Sequence, residues 1–398
     1  MPNHKFQQTE KALLALADQC VKCGLCLSTC PTYLLNINEA DSPRGRVTLI
    51  QGLIHKQIHP SDKKLQQHID GCLSCGNCES ACPSAVRFID LLDQAKSVYP
   101  LSSVPRWQLS LLSSSKLFPM AVKAAQYVPR SFSSVLPGLA GQLLKNRPDN
   151  IKLIKQPAKS DKQSKSRIGV FSGCIGRVID SDAINLTCQL LAKLGHEVIM
   201  PATQNCCGAM HQHEGYLQDA IALSDKNTAA FNREKLDVII YFASGCGAQL
   251  LKSQQQFIAP IMEASAYLAS LKLPATASPD HKIAIHSPCT LNNQTDAWPM
   301  MLELVKKLAG NQLVELPGNQ ICCGSAGLHL LKHPHAANQL MQPKLAALKQ
   351  LKPDILLTAN TGCALHFRNT VRDAGLSLRV MHPAEWVSEQ ILNHRTDD

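Results

Sequence analysis

The chain has 398 residues, 45% of them hydrophobic and 18% charged, with 17 cysteines and a formal net charge of +10. That length exceeds one ordinary core and predicts two or three domains, and the composition excludes a disordered chain. No uninterrupted apolar run reaches the roughly 18 residues of a membrane-spanning helix. The charge does not indicate nucleic acid, because it is concentrated where Lys145, Arg147, Lys152, Lys155, Lys159, Lys162, Lys165 and Arg167 face only Asp149 and Asp161. Such a run reads as a solvated linker, with an acidic subunit or anionic lipid as the alternative contact.

The opening MPNHKFQQTEKALLALADQC lacks the basic start, long apolar run and cleavage site of a secretory signal, so the thiols are expected to stay reduced. An odd number of cysteines cannot all pair within one chain, and reduced cysteines in clusters point to metal.

The first 100 residues alternate cysteine-rich turns with short helical segments. Ser42 and Pro43 make a helix start for the apolar spacing Val47, Ile50, Leu53 and Ile54, and Ser61 can cap a second helix running to Asp70. These helices lie between two motifs. CVKCGLCLSTCP supplies Cys20, Cys23, Cys26, Cys30 and Pro31, and CLSCGNCESACP supplies Cys72, Cys75, Cys78, Cys82 and Pro83. Both read C-x2-C-x2-C-x3-C-P, where three cysteines wrap one cubane and the fourth turns away to ligate the other. The spacing assigns Cys20, Cys23, Cys26 and Cys82 to a first 4Fe-4S cluster, and Cys30, Cys72, Cys75 and Cys78 to a second. Gly24 and Gly76 leave room for backbone amides to approach the sulfides. Zinc, which favours two separated ligand pairs, fits this pattern poorly. The long spacer with its Pro43 helix resembles the α-helical ferredoxin modules of respiratory complexes.

From Leu101 to Leu144 the chain is rich in Ser, Leu and Pro and has no acidic residue, its only charges being Arg106, Lys116, Lys123 and Arg130. Helices interrupted by prolines are expected. Trp107, Phe118, Tyr127 and Phe132 are expected to pack against other domains, a membrane surface being the alternative.

From Arg167 short β-branched runs alternate with longer helical stretches, the pattern of α/β structure. RIGVFSGC matches KIAIHSPC, GHEVIMPATQNCCG matches NQLVELPGNQICCG, and LDVIIYFASGC matches PDILLTANTGC, all at a nearly constant offset. Two copies of one domain follow, with cysteines in the loops after strands where open α/β sheets bind ligands. The expected division is 1–100, 101–166 as connector and linker, 167–275 and 281–398.

The copies carry Cys174, Cys206, Cys207 and Cys246, and Cys289, Cys322, Cys323 and Cys363. Each tetrad could ligate a cluster or metal ion, or some of these cysteines could be small buried apolar residues, as Cys188 outside the repeat is expected to be. Both copies also read C-C-G-x4-H, ending at His213 and His329, which makes these two candidates for ligation, hydrogen bonding to a cluster or structural packing. His211, His286 and His366 read as ordinary polar residues, and no side chain is read as catalytic.

The copies resemble the cysteine-rich CCG domain of heterodisulfide reductases and of flavin-linked dehydrogenase subunits. The family pattern closes each copy with C-x2-C, and here Gln249 and His366 replace the last cysteine, which puts the family's noncubane cluster in doubt. Paired ferredoxin motifs, SPRGR at Ser42 to Arg46, the proline-broken connector, ASGCGA and CCGSAG together resemble the glycolate oxidase (glycolate dehydrogenase) iron-sulfur subunits over essentially the whole chain.

The resemblance implies a multidomain protein, an α-helical ferredoxin domain followed by two homologous α/β CCG domains. It implies two 4Fe-4S clusters with a third iron-sulfur or metal site open, FAD-binding partner subunits that oxidise glycolate to glyoxylate, and a membrane acceptor of the quinone kind. It also implies a cytoplasmic place at the inner face of the bacterial membrane. The absence of a G-x-G-x-x-G at a strand-helix junction agrees with flavin on another chain. Related subunits serve D-lactate and glycerol-3-phosphate oxidation, and a heterodisulfide-reductase-like thiol-disulfide enzyme is a further alternative.

Overall fold

The structure is a computed structural model that describes residues 10–99, 101–114, 117–136, 138–148, 154, 164–276 and 279–393. Of the sequence expectations, those on Lys116 and on Asp149, Lys152, Lys155, Lys159, Asp161 and Lys162 lie outside the described residues.

Short helices build the N-terminal module. Glu10–Ala17, Pro43–Ile54, Lys63–Asp70 and Phe88–Val98 bury Leu13, Val47, Ile50, Leu65, Ile69, Leu91 and Leu92 in one cluster. The Pro43–Ile54 helix starts as its sequence predicts: the Ser42 hydroxyl accepts from Gly45 N at 2.9 Å, and Pro43 takes the position where no amide is needed. The second helix starts one residue later than expected. Asp62, not Ser61, caps it, its carboxylate accepting from the Lys64 and Leu65 amides, while the Ser61 hydroxyl is turned to His59 at 2.6 Å.

The connector is helical, with Arg106–Ser113 capped by Pro105, then Leu117–Ala125, a 3-10 turn at Arg130–Ser134 that follows Pro129, and Gly138–Lys145. Its Phe118 is buried as packing predicts, but Trp107 (66% exposed), Tyr127 (85%) and Phe132 (54%) face outward.

Among the described residues, eight strands form two four-stranded parallel sheets. The first comprises β1 (Arg167–Phe171), β2 (Glu197–Ile199), β3 (Val238–Tyr241) and β4 (Ile261–Glu263), in the order β2-β1-β3-β4. The second comprises β5 (Ile283–His286), β6 (Leu313–Glu315), β7 (Ile355–Thr358) and β8 (Arg379–Met381), in the order β6-β5-β7-β8. The central strands β1, β3, β5 and β7 are apolar and almost wholly buried, as parallel strands covered on both faces must be. The identical order confirms the repeat read from the sequence.

The copies pack on each other helix against helix. The Ser181–Lys193 helix of the first packs on the C-terminal Pro383–Asn393 helix of the second, and Ala264–Ala269 packs on Trp298–Ala309. One continuous core therefore contains Ile168, Val170, Ile283, Ile285 and Trp386. Cys188 lies in it, its thiol pushed up to about 12 by burial. The same arrangement joins the loops after β3 and β7, where Ser244 N donates to Ala359 O at 3.1 Å. The cysteine loops of both copies thus open toward each other.

Candidate metal centres

The SPRGR segment ties down both ferredoxin loops. Arg46 is 1% exposed, and its guanidinium donates to His68 O (2.7 Å), to Thr32 Oγ1 (3.0 Å) and to the Asp41 carbonyl. Thr32 Oγ1 lies 3.3 Å from Cys30 Sγ, and His68 shortly precedes Cys72, so one buried cation fixes two predicted ligands of the second cluster. Arg44 reaches the other loop, donating to Lys22 O at 3.1 Å while Glu39 holds its Nε at 2.7 Å. Gly45 has no alternative, because a Cβ there would lie 1.9 Å from Glu39 O.

Cys20, Cys23, Cys26 and Cys82 line one small cavity of about 30 Å³ together with Gly24, Arg44 and Pro83. Burial pushes the Cys26 thiol up. Cys30, Cys72, Cys75 and Cys78 gather separately, and the Cys75 and Cys78 thiols are pushed well up, first by burial and then by neighbouring thiols including Cys72 and Cys30. Four thiols around a void suit a thiolate-ligated cluster. Gly24 and Gly76 have φ of +88° and +80°, each preceded two residues earlier by a left-handed Lys22 or Ser74, so both loops curl alike.

The two repeat tetrads are similarly built. Cys174 Sγ lies 3.3 Å from Cys206 Sγ; Cys289 lies 3.7 Å from Cys322, and Cys323 3.1 Å from Cys363. Cys207 and Cys323, the second thiol of each Cys-Cys pair, are pulled below the usual thiol range by hydrogen bonds from Cys206 and Cys246, and from Cys322 and Cys363. Cys206, Cys246, Cys322 and Cys363 are correspondingly pushed up. In each tetrad the neighbours' donation favours the thiolate form of one cysteine, the form a metal ion binds. The glycine of each CCG is in the left-handed region, and a Cβ on Gly324 would lie 2.7 Å from Ala337 Cα.

The paired histidines share a place in the repeat but not a partner. His213 Nδ1 meets Asp93 Oδ1 of the N-terminal module at 2.9 Å, whereas buried His329 Nδ1 meets Gly324 O at 3.1 Å and is lowered to about 4, chiefly by burial. His286, set aside in the sequence, falls within 4.8 Å of the Cys323 and Cys363 sulfurs. The signal lay in the repeat itself, where KIAIHSPC carries His286 and RIGVFSGC carries Phe171. His366, at the place of the missing cysteine, is buried with Nε2 3.4 Å from Asn338 Oδ1, while Gln249 donates to Gln212 Oε1 at 2.9 Å.

All eight repeat cysteines and Cys72 line one cavity of about 560 Å³. Connector residues Leu112, Phe118, Val122 and Leu143 form an apolar wall. The cavity also meets a buried network in which Lys332 donates to Asp70 and to Glu214 (2.9 Å), Lys96 stands 3.5 Å from Asp70, and Ser102 donates to Glu214 at 2.7 Å. Asp70 is held well below the usual carboxylate range; burial opposes this, but His333, Lys96 and Lys332 outweigh it.

The second cluster loop docks on the second copy. Asn293 Nδ2 donates to Cys75 O (2.9 Å) and Asn77 Oδ1 (2.6 Å), Gln294 to Ser74 O (3.0 Å), and Asn77 Nδ2 to Gln320 O (2.8 Å). Leu73, Cys75, Cys322 and Leu340 form a small buried cluster with Cys289 against it. Ligand loop and tetrad are in direct contact.

Comparison with known proteins agrees with this architecture. A family model of a 4Fe-4S dicluster domain matches residues 16–86, and one of a cysteine-rich domain matches residues 168–251 and 283–368. The chain is 31% identical to the glycolate oxidase iron-sulfur subunit of Escherichia coli (strain K12) over 392 residues, covering 92% of this chain and 94% of the relative. It is 27% identical to a probable glycolate oxidase iron-sulfur subunit of Bacillus subtilis (strain 168), covering 95% and 94%. A crystal structure of a hypothetical protein from Helicobacter pylori shares the fold, with a TM-score of 0.56 at 11% identity over 98% of this chain and 77% of that one. With both domain types in place and a relative matched over nearly its full length, the chain belongs to the glycolate oxidase iron-sulfur subunit family.

Proposed function

We propose that this protein carries electrons within a glycolate-oxidising complex, from a partner flavoprotein that converts glycolate to glyoxylate toward a quinone in the membrane. Cys20, Cys23, Cys26 and Cys82 hold one 4Fe-4S cluster, and Cys30, Cys72, Cys75 and Cys78 hold the other. A flavin takes up an electron pair, whereas each cluster carries one electron, so the chain divides the pair. The repeat tetrads form a third metal site, and residues 1–100, 101–166, 167–275 and 281–398 divide the labour.

The observation that carries this reading is the contact between the Cys75 loop and the Cys289 and Cys322 tetrad, which sets two thiol-lined sites side by side. The chain's part is to hold ligands, bury thiols and keep water out. Peripheral membrane contact draws support from the connector, where Trp107, Met120, Tyr127, Phe132 and Val135 are exposed in an acid-free segment. Among the described residues no helix is long and apolar enough to cross a membrane.

Anaerobic stopped-flow mixing of the complex with glycolate or D-lactate tests the reading. Bleaching of cluster absorbance by glycolate, dependent on the flavoprotein, is the expected result. Bleaching by D-lactate alone would reassign the substrate, and no bleaching by either would reject the relay.

A further inference from the structure

We propose that the second cysteine-rich copy is a mixed thiolate-imidazole metal centre, with His286 Nε2 as its nitrogen ligand beside Cys323 and Cys363. The inference rests on the reading of the tetrads as metal-holding and specifies it for one copy. Three ligand atoms, one from each residue, lie within 4.8 Å of one another, and all three residues are buried. His286 is 1% exposed, and its Nε2 has no hydrogen-bond partner. A buried polar atom left without a partner is costly and calls for an explanation.

The rest of the ring is held as a metal ligand's would be. Nδ1 lies 3.0 Å from Thr358 Oγ1, so that nitrogen is occupied and only Nε2 is left for the thiols. Phe367 stands edge-on to the imidazole, with centroids 4.9 Å apart at 67°. Ligating histidines characteristically have their second nitrogen engaged in this way. Position also argues for it, because β5 ends at His286 just before the Cys289 loop, while β1 ends at Phe171 before Cys174. Lys344, 1% exposed and donating to Gly318 O at 2.7 Å, lies within electrostatic reach of the four thiols of this copy and offsets their charge. Ligands of this kind suit zinc or the iron of an iron-sulfur centre, and imidazole in place of thiolate raises an iron-sulfur potential.

The test uses the full chain purified without oxygen, as wild type and as His286→Phe, Thr358→Val and Cys323→Ala. Iron, zinc and sulfide are counted per chain. Nitrogen coordination is read by X-ray absorption for zinc, or by nitrogen hyperfine coupling after 15N-histidine labelling for iron. The wild type is expected to hold one centre beyond the ferredoxin clusters, with a histidine nitrogen bound. His286→Phe should lose that nitrogen or the whole centre while ferredoxin iron stays, and Thr358→Val should weaken metal retention about ten- to a hundredfold. If Cys323→Ala loses the centre but the wild type shows no bound histidine nitrogen, the His286 assignment is overturned and the metal site stands. If Cys323→Ala leaves the metal count unchanged, the metal site itself is overturned. Should His286→Phe fail to fold, the wild-type nitrogen signal decides alone.

Discussion

At the scale of single residues, the cysteine spacing carries most of the information, because three of the four ligands expected for each cluster are local in sequence. What escaped was the identity of neighbours brought in by the fold. His286 looked ordinary among fifteen histidines. Only the end of a parallel strand beside Cys323 and Cys363 gives it a place. SPRGR was legible as a helix start, but that Arg44 and Arg46 hold the cysteine loops was not, since their partners Lys22, Thr32 and His68 come from other segments. Arg46→Met should therefore cost about 3–5 kcal/mol, because it takes the buried charged donor from His68 O, Thr32 Oγ1 and Asp41 O; a weakened second-cluster signal and a lowered thermal midpoint would confirm this, and an unchanged midpoint would contradict it. A second residue-scale expectation concerns acidity. Burial holds Glu385 and Glu263 up to about 7, against about 4.3 for glutamate in an unfolded chain. The folded state then binds the proton more tightly, so both glutamates lower stability as pH rises from about 4.3 to 7. Glu385→Gln should flatten part of that decline, as thermal midpoints at pH 5 and pH 8 will show, and an unchanged slope would contradict it.

At the scale of elements, the strands of the repeat were visible as matched apolar runs, and the sheets follow them. The packing of helices between copies was not visible, because Ser181–Lys193 and Pro383–Asn393 are distant in sequence and each is amphipathic enough to suit either sheet. Trp386→Ala should cost about 3–5 kcal/mol, since its fully buried indole belongs to the core that both copies share. Both repeat domains should lose stability together, as two thermal probes placed one in each copy will report. The docking of the second cluster loop is another element-scale property. Asn293→Ala removes donors to Cys75 O and Asn77 Oδ1. It should shift the potential of the second cluster while leaving the first unchanged in a spectroelectrochemical titration, because hydrogen bonding and exposure set such potentials.

At the scale of the molecule, the four predicted parts close on one cavity. Its walls come from the connector, the Cys72 loop and both repeat copies, and its charged lining joins Asp70 and Lys96 to Glu214 and Lys332. No local pattern announces such a meeting. The connector shows the same limit: its lack of acid was plain in the sequence, but which aromatics face outward depended on how the helices sit. The central claim is that the eight cysteines from Cys20 to Cys82 hold two clusters, and iron counting with paramagnetic resonance of the anaerobically reduced full chain tests it most directly. The expected result is at least eight irons per chain and two reducible centres; two irons or fewer, or no reducible cubane signal, would contradict the account.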